Sequence, residues 1–245
     1  MKRKLFRGLT TIIALLGTVS LASGQSMFDN FDTYTVGSIA GQGGWQGWTG
    51  NAAVAGTVST LQASSGAQSL QLVAGNDTVR PFSGVTSGLW TLSLQQYVPS
   101  ASSGVSWVIT MNSYPSSLNW SAQVQADISQ GLVGVFDGAG VQAGSTLSLI
   151  KDQWVDIRFD INLGANSVST FYNNTLLGTH AWQSGGLNQL QALDLYPDEG
   201  AGTAQVGSIF YDNVQLQPTV VPEPATVSLL LLGGLAILFR ARKRA

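Results

Sequence analysis

The chain has 245 residues, no cysteine, and eleven Lys and Arg against thirteen Asp and Glu, so thiolate metal sites, cysteine catalysis and disulfides are excluded and an exported body must rely on its core. Eight of the eleven cations lie in the two terminal segments; between residues 27 and 217 only Arg80, Lys151 and Arg158 stand against twelve acids, a balance of −9. Nucleic acid does not suit such a surface, because phosphate binding needs basic residues, whereas cations and neutral polymers remain open as partners.

Residues 1–24 read as a signal peptide. Lys2, Arg3, Lys4 and Arg7 precede the apolar run GLTTIIALLGTVSLA, and the small residues of SLASGQS follow. That is the charged, apolar and cleavage-site order of a secretory leader. A signal helix cleaved after Ala22 or Gly24 is expected, with the secretion machinery as a partner and the mature body beginning near Gln25.

Residues 25–217 read as one all-β domain. No long stretch combines helical period with caps; short alternating runs recur between turn residues instead. The clearest is QWVDIRFDINL, where Val155, Ile157, Phe159, Ile161 and Leu163 point one way and Trp154, Asp156, Arg158, Asp160 and Asn162 the other. The turn GAN follows, and SVSTFYNN and TLLGTHAW make two strands around Asn173-Asn174. QSLQLVA, TVRPFSG, LWTLSLQQYV, VSWVITMN, SAQVQADI, GLVGVFD, LQALDLY and SIFYDNVQLQ bring the count to about eleven. The connections are too short for crossover helices, so a β-sandwich is predicted.

Prolines gather after Gln217, and residues 218–224 form a stiff spacer containing Val221-Pro222-Glu223-Pro224. Residues 225–239 are an apolar segment that reaches about 22 Å as a helix, short of the roughly 30 Å bilayer core. Residues 240–245 are a basic tail with Arg240, Arg242, Lys243 and Arg244. Basic residues stay on the cytoplasmic side of the segment they flank. A short hydrophobic helix pinned by arginines suits temporary retention in the inner membrane, with the body outside the cytoplasm.

These three parts, in this order, resemble the PEP-CTERM sorting signal of Gram-negative bacteria. The resemblance implies recognition by an exosortase-type membrane protease, processing near Pro-Glu-Pro, and export to the cell surface or extracellular matrix beside exopolysaccharide. It covers about 25 residues and concerns address, not activity. In the body, Trp154 to Trp182 resembles the strand-turn-strand core of laminin-G-like, concanavalin-type jelly rolls. FDNFDTYTVGSIAGQGGWQGW and IFYDNVQL resemble the first and last strands of jelly-roll carbohydrate-binding modules. A jelly-roll β-sandwich is the implied fold.

Catalytic patterns are sparse. Concanavalin-type glucanases carry a Glu-x-Asp-x-x-Glu strand, and the chain has none. Asp194, Asp198 and Glu199 in DLYPDEGAG read as a strand end and a turn, where Asp and Gly serve local hydrogen bonding. His180 is the only histidine, so a triad has no support. The domain is therefore expected not to be an enzyme.

In jelly-roll binding modules the first and last strands run side by side and carboxylates from each clamp calcium. The resemblance places Asp32 and Asp212 there, with Asp29 nearby, as candidate ligands for structural calcium. Glycan binding needs exposed aromatic faces. Trp120 in a loop, and Trp154 and Trp182 in strand alternation, are the candidates; Trp45 and Trp48 read as core. The expected role is lectin-like binding of extracellular polysaccharide or structural duty in the matrix, the alternatives being a glycoside hydrolase of the same fold and a ligand-free matrix protein.

Overall fold

The structure, a computed structural model, describes residues 26–136, 141–198 and 207–219. The predicted signal peptide, the Val221-Pro222-Glu223-Pro224 motif, the apolar segment 225–239 and the basic tail with Arg240, Arg242, Lys243 and Arg244 lie outside the described residues. Among the described residues no helix is long and apolar enough to cross a membrane.

In chain order the strands are β1 (Met27–Asp29), β2 (Gly37–Ser38), β3 (Gln46–Gly47), β4 (Thr57–Ser59), β5 (Ser69–Leu72), β6 (Thr78–Pro81), β7 (Leu89–Tyr97), β8 (Val105–Ser113), β9 (Asn119–Asp127), β10 (Leu132–Phe136), β11 (Val141–Ser148), β12 (Trp154–Asn162), β13 (Ser167–Tyr172), β14 (Thr175–Ala181), β15 (Ala192–Asp198) and β16 (Ile209–Pro218). They form two antiparallel sheets packed as a jelly-roll sandwich. One is nine-stranded, in the order β14-β13-β12-β7-β16-β5-β4-β2, with β1 also paired to β16; the other is seven-stranded, β11-β10-β9-β8-β15-β6-β3. First and last strands do lie side by side, Met27 opposite Leu216.

Local sequence explains the elements. In β12 the apolar set from Val155 to Leu163 is buried and the alternate set is not, as period two requires. Asn173 and Asn174 both take positive φ, which fits the two-residue type I′ turn that joins β13 to β14. The core lies between the inner faces, where Trp90, Leu92, Leu94 and Phe159 of one sheet meet Val108, Val124, Leu193 and Leu195 of the other. A polar tie crosses it: Gln96 on β7 donates to the Tyr211 hydroxyl at 3.0 Å, and that hydroxyl lies 2.6 Å from Ser106 Oγ on β8. Burial pushes the Tyr211 phenol up to about 12.

Two expectations change. In DLYPDEGAG the strand continues further than LQALDLY, with β15 running through Asp198 between β8 and β6 because Leu193, Leu195 and Pro197 alternate inward with the core; the expected turn after it lies outside the described residues. Strands β1 to β4 and β11 go beyond the eleven predicted; the first four are only two or three residues long, and the sequence of β11, VQAGSTLS, carries Gly144, Ser145 and Thr146, which have weak strand preference.

Candidate functional site

The outward face of the seven-stranded sheet is not an ordinary polar surface. Cross-strand register sets Phe136 opposite Gln123, Gln123 opposite Ile109, Ile109 opposite Asp194, and Asp194 opposite Val79. In the next row Trp107 stands opposite Tyr196. These strands are apolar on both faces: Val79, Ile109, Met111, Tyr114 and Ala192 form a second small core, with Trp48 and Trp107 packed against it. The Tyr114 hydroxyl anchors this cover, accepting from Gln46 Nε2 at 2.7 Å and from the Thr49 amide at 2.9 Å.

What remains open is a groove of about 510 Å³, walled by Trp48, Trp107, Trp120, Phe136 and Tyr196 and floored by Ile109 and Asp194. The Trp107 and Phe136 rings meet edge to face, 4.9 Å between centroids. A register shift on β8 and β9 sets Trp120 opposite Met111, and the residue is 46% exposed at the groove rim. Bulges re-aim side chains in this way next to functional sites. A 560 Å³ depression on the other sheet is more polar and holds the Arg158–Asp160 ion pair at 3.2 Å.

Asp77 and Asp194 meet in the groove. Asp194 is 3% exposed, and an Oδ1 on each carboxyl is buried without a partner. Burial, then the charge of Asp77, then the hydrogen bond to it hold the Asp194 carboxyl well above its ordinary range. Burial also raises Asp77, while the bond from Asp194 lowers it. Burial of the two carboxyls side by side thus favours one proton shared between them. Asp198 lines the same groove.

Of the candidate glycan residues, Trp120 and Trp182 border one small cavity of about 250 Å³, and Trp154 lies apart from them. Trp120 stands at the groove. Trp154 is on the outer face of the nine-stranded sheet, its ring 5.5 Å from Tyr97. Trp182 sits behind the wall of that cavity as a buried residue: it is 0% exposed, and its indole N–H donates to the Gln189 carbonyl at 3.0 Å. Strand alternation stops at Ala181, so it could not place the next side chain. Trp45 is core, donating to Asp29 Oδ2 at 2.7 Å, whereas Trp48, expected to be core, is half-buried and lines the groove. Trp107, Phe136, Tyr196, Asp77 and Asp194 were not singled out for binding. Their signal was present in part: Trp107-x-Ile109-x-Met111 and Asp194-x-Tyr196-x-Asp198 give two neighbouring strands a second face too apolar or too specific to be plain surface.

The calcium candidates do not fit a cation. Every carboxylate oxygen of Asp29, Asp32 and Asp212 faces a donor. Asp29 accepts from the Phe31 amide, Tyr34 hydroxyl and Trp45 indole. Asp32 accepts from the Ala67 and Gln68 amides and from Asn30. Asp212 accepts from the amides of Ser64, Ser65 and Asn213. Calcium needs six to eight oxygens, and these are already turned toward N–H and O–H groups. Among the described residues no group of three metal-binding side chains converges. Asp32 and Asp212 instead fasten one loop, residues 64–68, from both ends of the chain.

Residues 220–244 match the PEP-CTERM protein-sorting motif. The chain carries a PEP-CTERM sorting signal. No curated protein matches it in sequence. Among solved structures it is similar to a sialidase (TM-score 0.55, 10% identity), covering 79% of this chain and 18% of the sialidase. It is also similar to the β-glucanase of Bacillus licheniformis (TM-score 0.50, 16% identity, 80% and 100% covered) and to the carbohydrate binding module CBM66 from Bacillus subtilis (TM-score 0.46, 11% identity, 71% and 95% covered). The chain thus spans 18% of the sialidase's length, and likeness at these identities concerns the fold alone.

Proposed function

We propose that this PEP-CTERM protein is an exported, lectin-like binder of extracellular polysaccharide, with the groove of the seven-stranded sheet as its site. The sorting signal supports export and surface association, and with it processing by an exosortase-type protease after temporary retention in the inner membrane. The observation that carries the binding reading is the groove itself: several aromatic rings around a few convergent polar groups. Ring faces stack on the apolar faces of sugars, and carboxyl and amide groups read hydroxyls.

Glycoside hydrolysis is the second reading, favoured by Asp194 and Asp198 on one strand face in one groove. Spacing ranks it lower. Retaining pairs sit about 5–5.5 Å apart and inverting pairs about 6.5–9.5 Å. Cα atoms four residues apart on a strand are about 13 Å apart, and Asp77 and Asp194 are in direct hydrogen bond, too close for a water between them.

The test is a glycan array and affinity electrophoresis with the full-length chain. Binding is expected, weakened by Trp107→Ala and by Trp120→Ala about five- to tenfold each, the loss of roughly 1 kcal/mol of stacking. No binding at millimolar glycan overturns the reading and leaves a ligand-free matrix protein. Release of reducing ends from β-glucans makes it a hydrolase.

A further inference from the structure

The groove does not end at Trp120. A second cavity of about 250 Å³ shares Trp120 and Gln123 with it and continues past Gln142, His180 and Gln183. Here β14, at the end of the nine-stranded sheet, lies against β10 and β11 of the other sheet. The walls change character along the way, from aromatic rings to amides and hydroxyls, with Ser121 and Ser184 beside the three glutamines.

His180 gives this end a defined polarity. Its Nδ1 lies 2.8 Å from the Ala181 carbonyl, which can only accept, so Nδ1 carries the hydrogen. In the neutral ring Nε2 is then an acceptor, and it is buried without a partner. At the far end of the first cavity the unpartnered atoms are acceptors too, Oδ1 of Asp77 and Oδ1 of the deeply buried Asp194. A buried polar atom without a partner is costly, and a ligand that supplies the missing bond gains that free energy. All three atoms therefore call for hydrogen-bond donors. No Lys or Arg is among the described residues lining either cavity, while Asp77, Asp194 and Asp198 are. A uronate or sulfated polymer would bring its charge against three carboxyl groups with no cation to receive it.

We infer that the two cavities are one continuous groove, which takes several consecutive residues of an uncharged, hydroxyl-rich polysaccharide, with Trp120 stacked at the waist, the Asp77–Asp194 carboxyls reading hydroxyls at one end and His180 at the other. This rests on the glycan-binding reading above and adds to it the ligand's charge, its length and a second subsite.

Calorimetry with the full-length chain tests it, using ladders of neutral glucan, mannan, xylan and galactan oligosaccharides, with polygalacturonate, alginate and chitosan alongside. Affinity is expected to rise with length until the oligosaccharide spans both cavities. His180→Ala is expected to cost the long oligosaccharides roughly tenfold and the disaccharides nothing, while His180→Gln, which keeps an acceptor, recovers part of the loss. His180 is on the rim of the sandwich, and an unchanged melting curve of each variant shows that the fold is retained. Neutral glycans bound with no dependence on length or on His180 overturn the continuous groove and leave the lectin reading standing. Tightest binding to the uronates or to chitosan overturns the uncharged class. No binding to any member defeats both readings together.

Discussion

Asp212 is fully buried at the point where β16 bulges, and it is the residue on which the hydrogen-bond and calcium accounts of the chain ends differ most. Oδ2 accepts from the Ser64 and Ser65 amides at 2.7 and 3.0 Å, and Oδ1 from the Asn213 amide at 2.7 Å. Hydrogen bonds to a charged group contribute about 1.5–3 kcal/mol each. Two corrections reduce the sum. The loop is part-buried, so water can enter and replace some of the lost bonds, and burial raises the Asp212 carboxyl, so its ionised form is costly to keep. Asp212→Ala should therefore cost about 2–4 kcal/mol, a fall in Tm of roughly 5–15 °C for a body of this size. Asp212→Asn keeps one acceptor oxygen and should lose about half as much. Thermal melts of the full-length chain with and without EDTA decide the matter. The chelator is expected to move no curve. A wild-type Tm that drops in EDTA, with no such drop in Asp212→Ala, would show that the carboxylate holds a cation and that the amide-capping argument is wrong; an unshifted Asp212→Ala would defeat both accounts.

The Asp77–Asp194 pair makes stability depend on pH. Both folded-state carboxyls lie above the ordinary value of 3.8, so the folded state holds their protons more tightly, and the stability this contributes is present below about pH 3.8 and lost as pH rises through the folded values. Asp194→Asn keeps a donor and removes that titration, so its Tm should gain on the wild type as pH rises above about 3.8, and parallel curves would contradict the shared proton. Trp182→Ala should cost about 3–5 kcal/mol in urea unfolding, the usual loss for a fully buried large aromatic, and a variant of wild-type stability with weakened glycan binding would restore Trp182 as a sugar platform. Gly66 has φ +62°, and a Cβ there would collide with the Asp32 carboxylate, so Gly66→Ala should lower stability by about 1–3 kcal/mol; a neutral outcome in the same urea assay would mean that the Asp32 tie to the loop does not hold.

Much of the fold could be read from periodicity. The β12 alternation and the Asn173-Asn174 turn are local signals, and each fixes an element by itself. Strand β11 carries no such signal, because Gly144, Ser145 and Thr146 have weak strand preference and are held by pairing with β10. The site was harder for a related reason. Alternation sets Trp154 opposite Val155, but it cannot say which sheet Trp154 decorates. The groove draws on β8, β9, β10 and β15 and on residues flanking β3 and β6, so its members are neighbours only through register. Asp77 illustrates the difficulty: in GNDTV it follows two turn residues, and nothing local says that it will meet Asp194, 117 positions later.

The chain ends and the groove lie on different sheets. The nine-stranded sheet takes both ends of the body: β1 pairs with β16, β16 runs to Pro218, and the Thr219 amide still donates to the Leu89 carbonyl at 2.8 Å. The sorting motif starts at residue 220, directly after this last bond, so all sixteen described strands precede it. Cleavage at the motif would therefore remove no described strand. The groove lies on the outer face of the opposite sheet and uses residues between Trp48 and Asp198. If the body is held by its C-terminus as proposed, the groove lies on the sheet opposite the one that carries the last described residue, Thr219. No residue lining the groove belongs to β16 or to the 64–68 loop that Asp32 and Asp212 fasten, so on the proposed function a ligand would meet the same groove before and after processing at the motif.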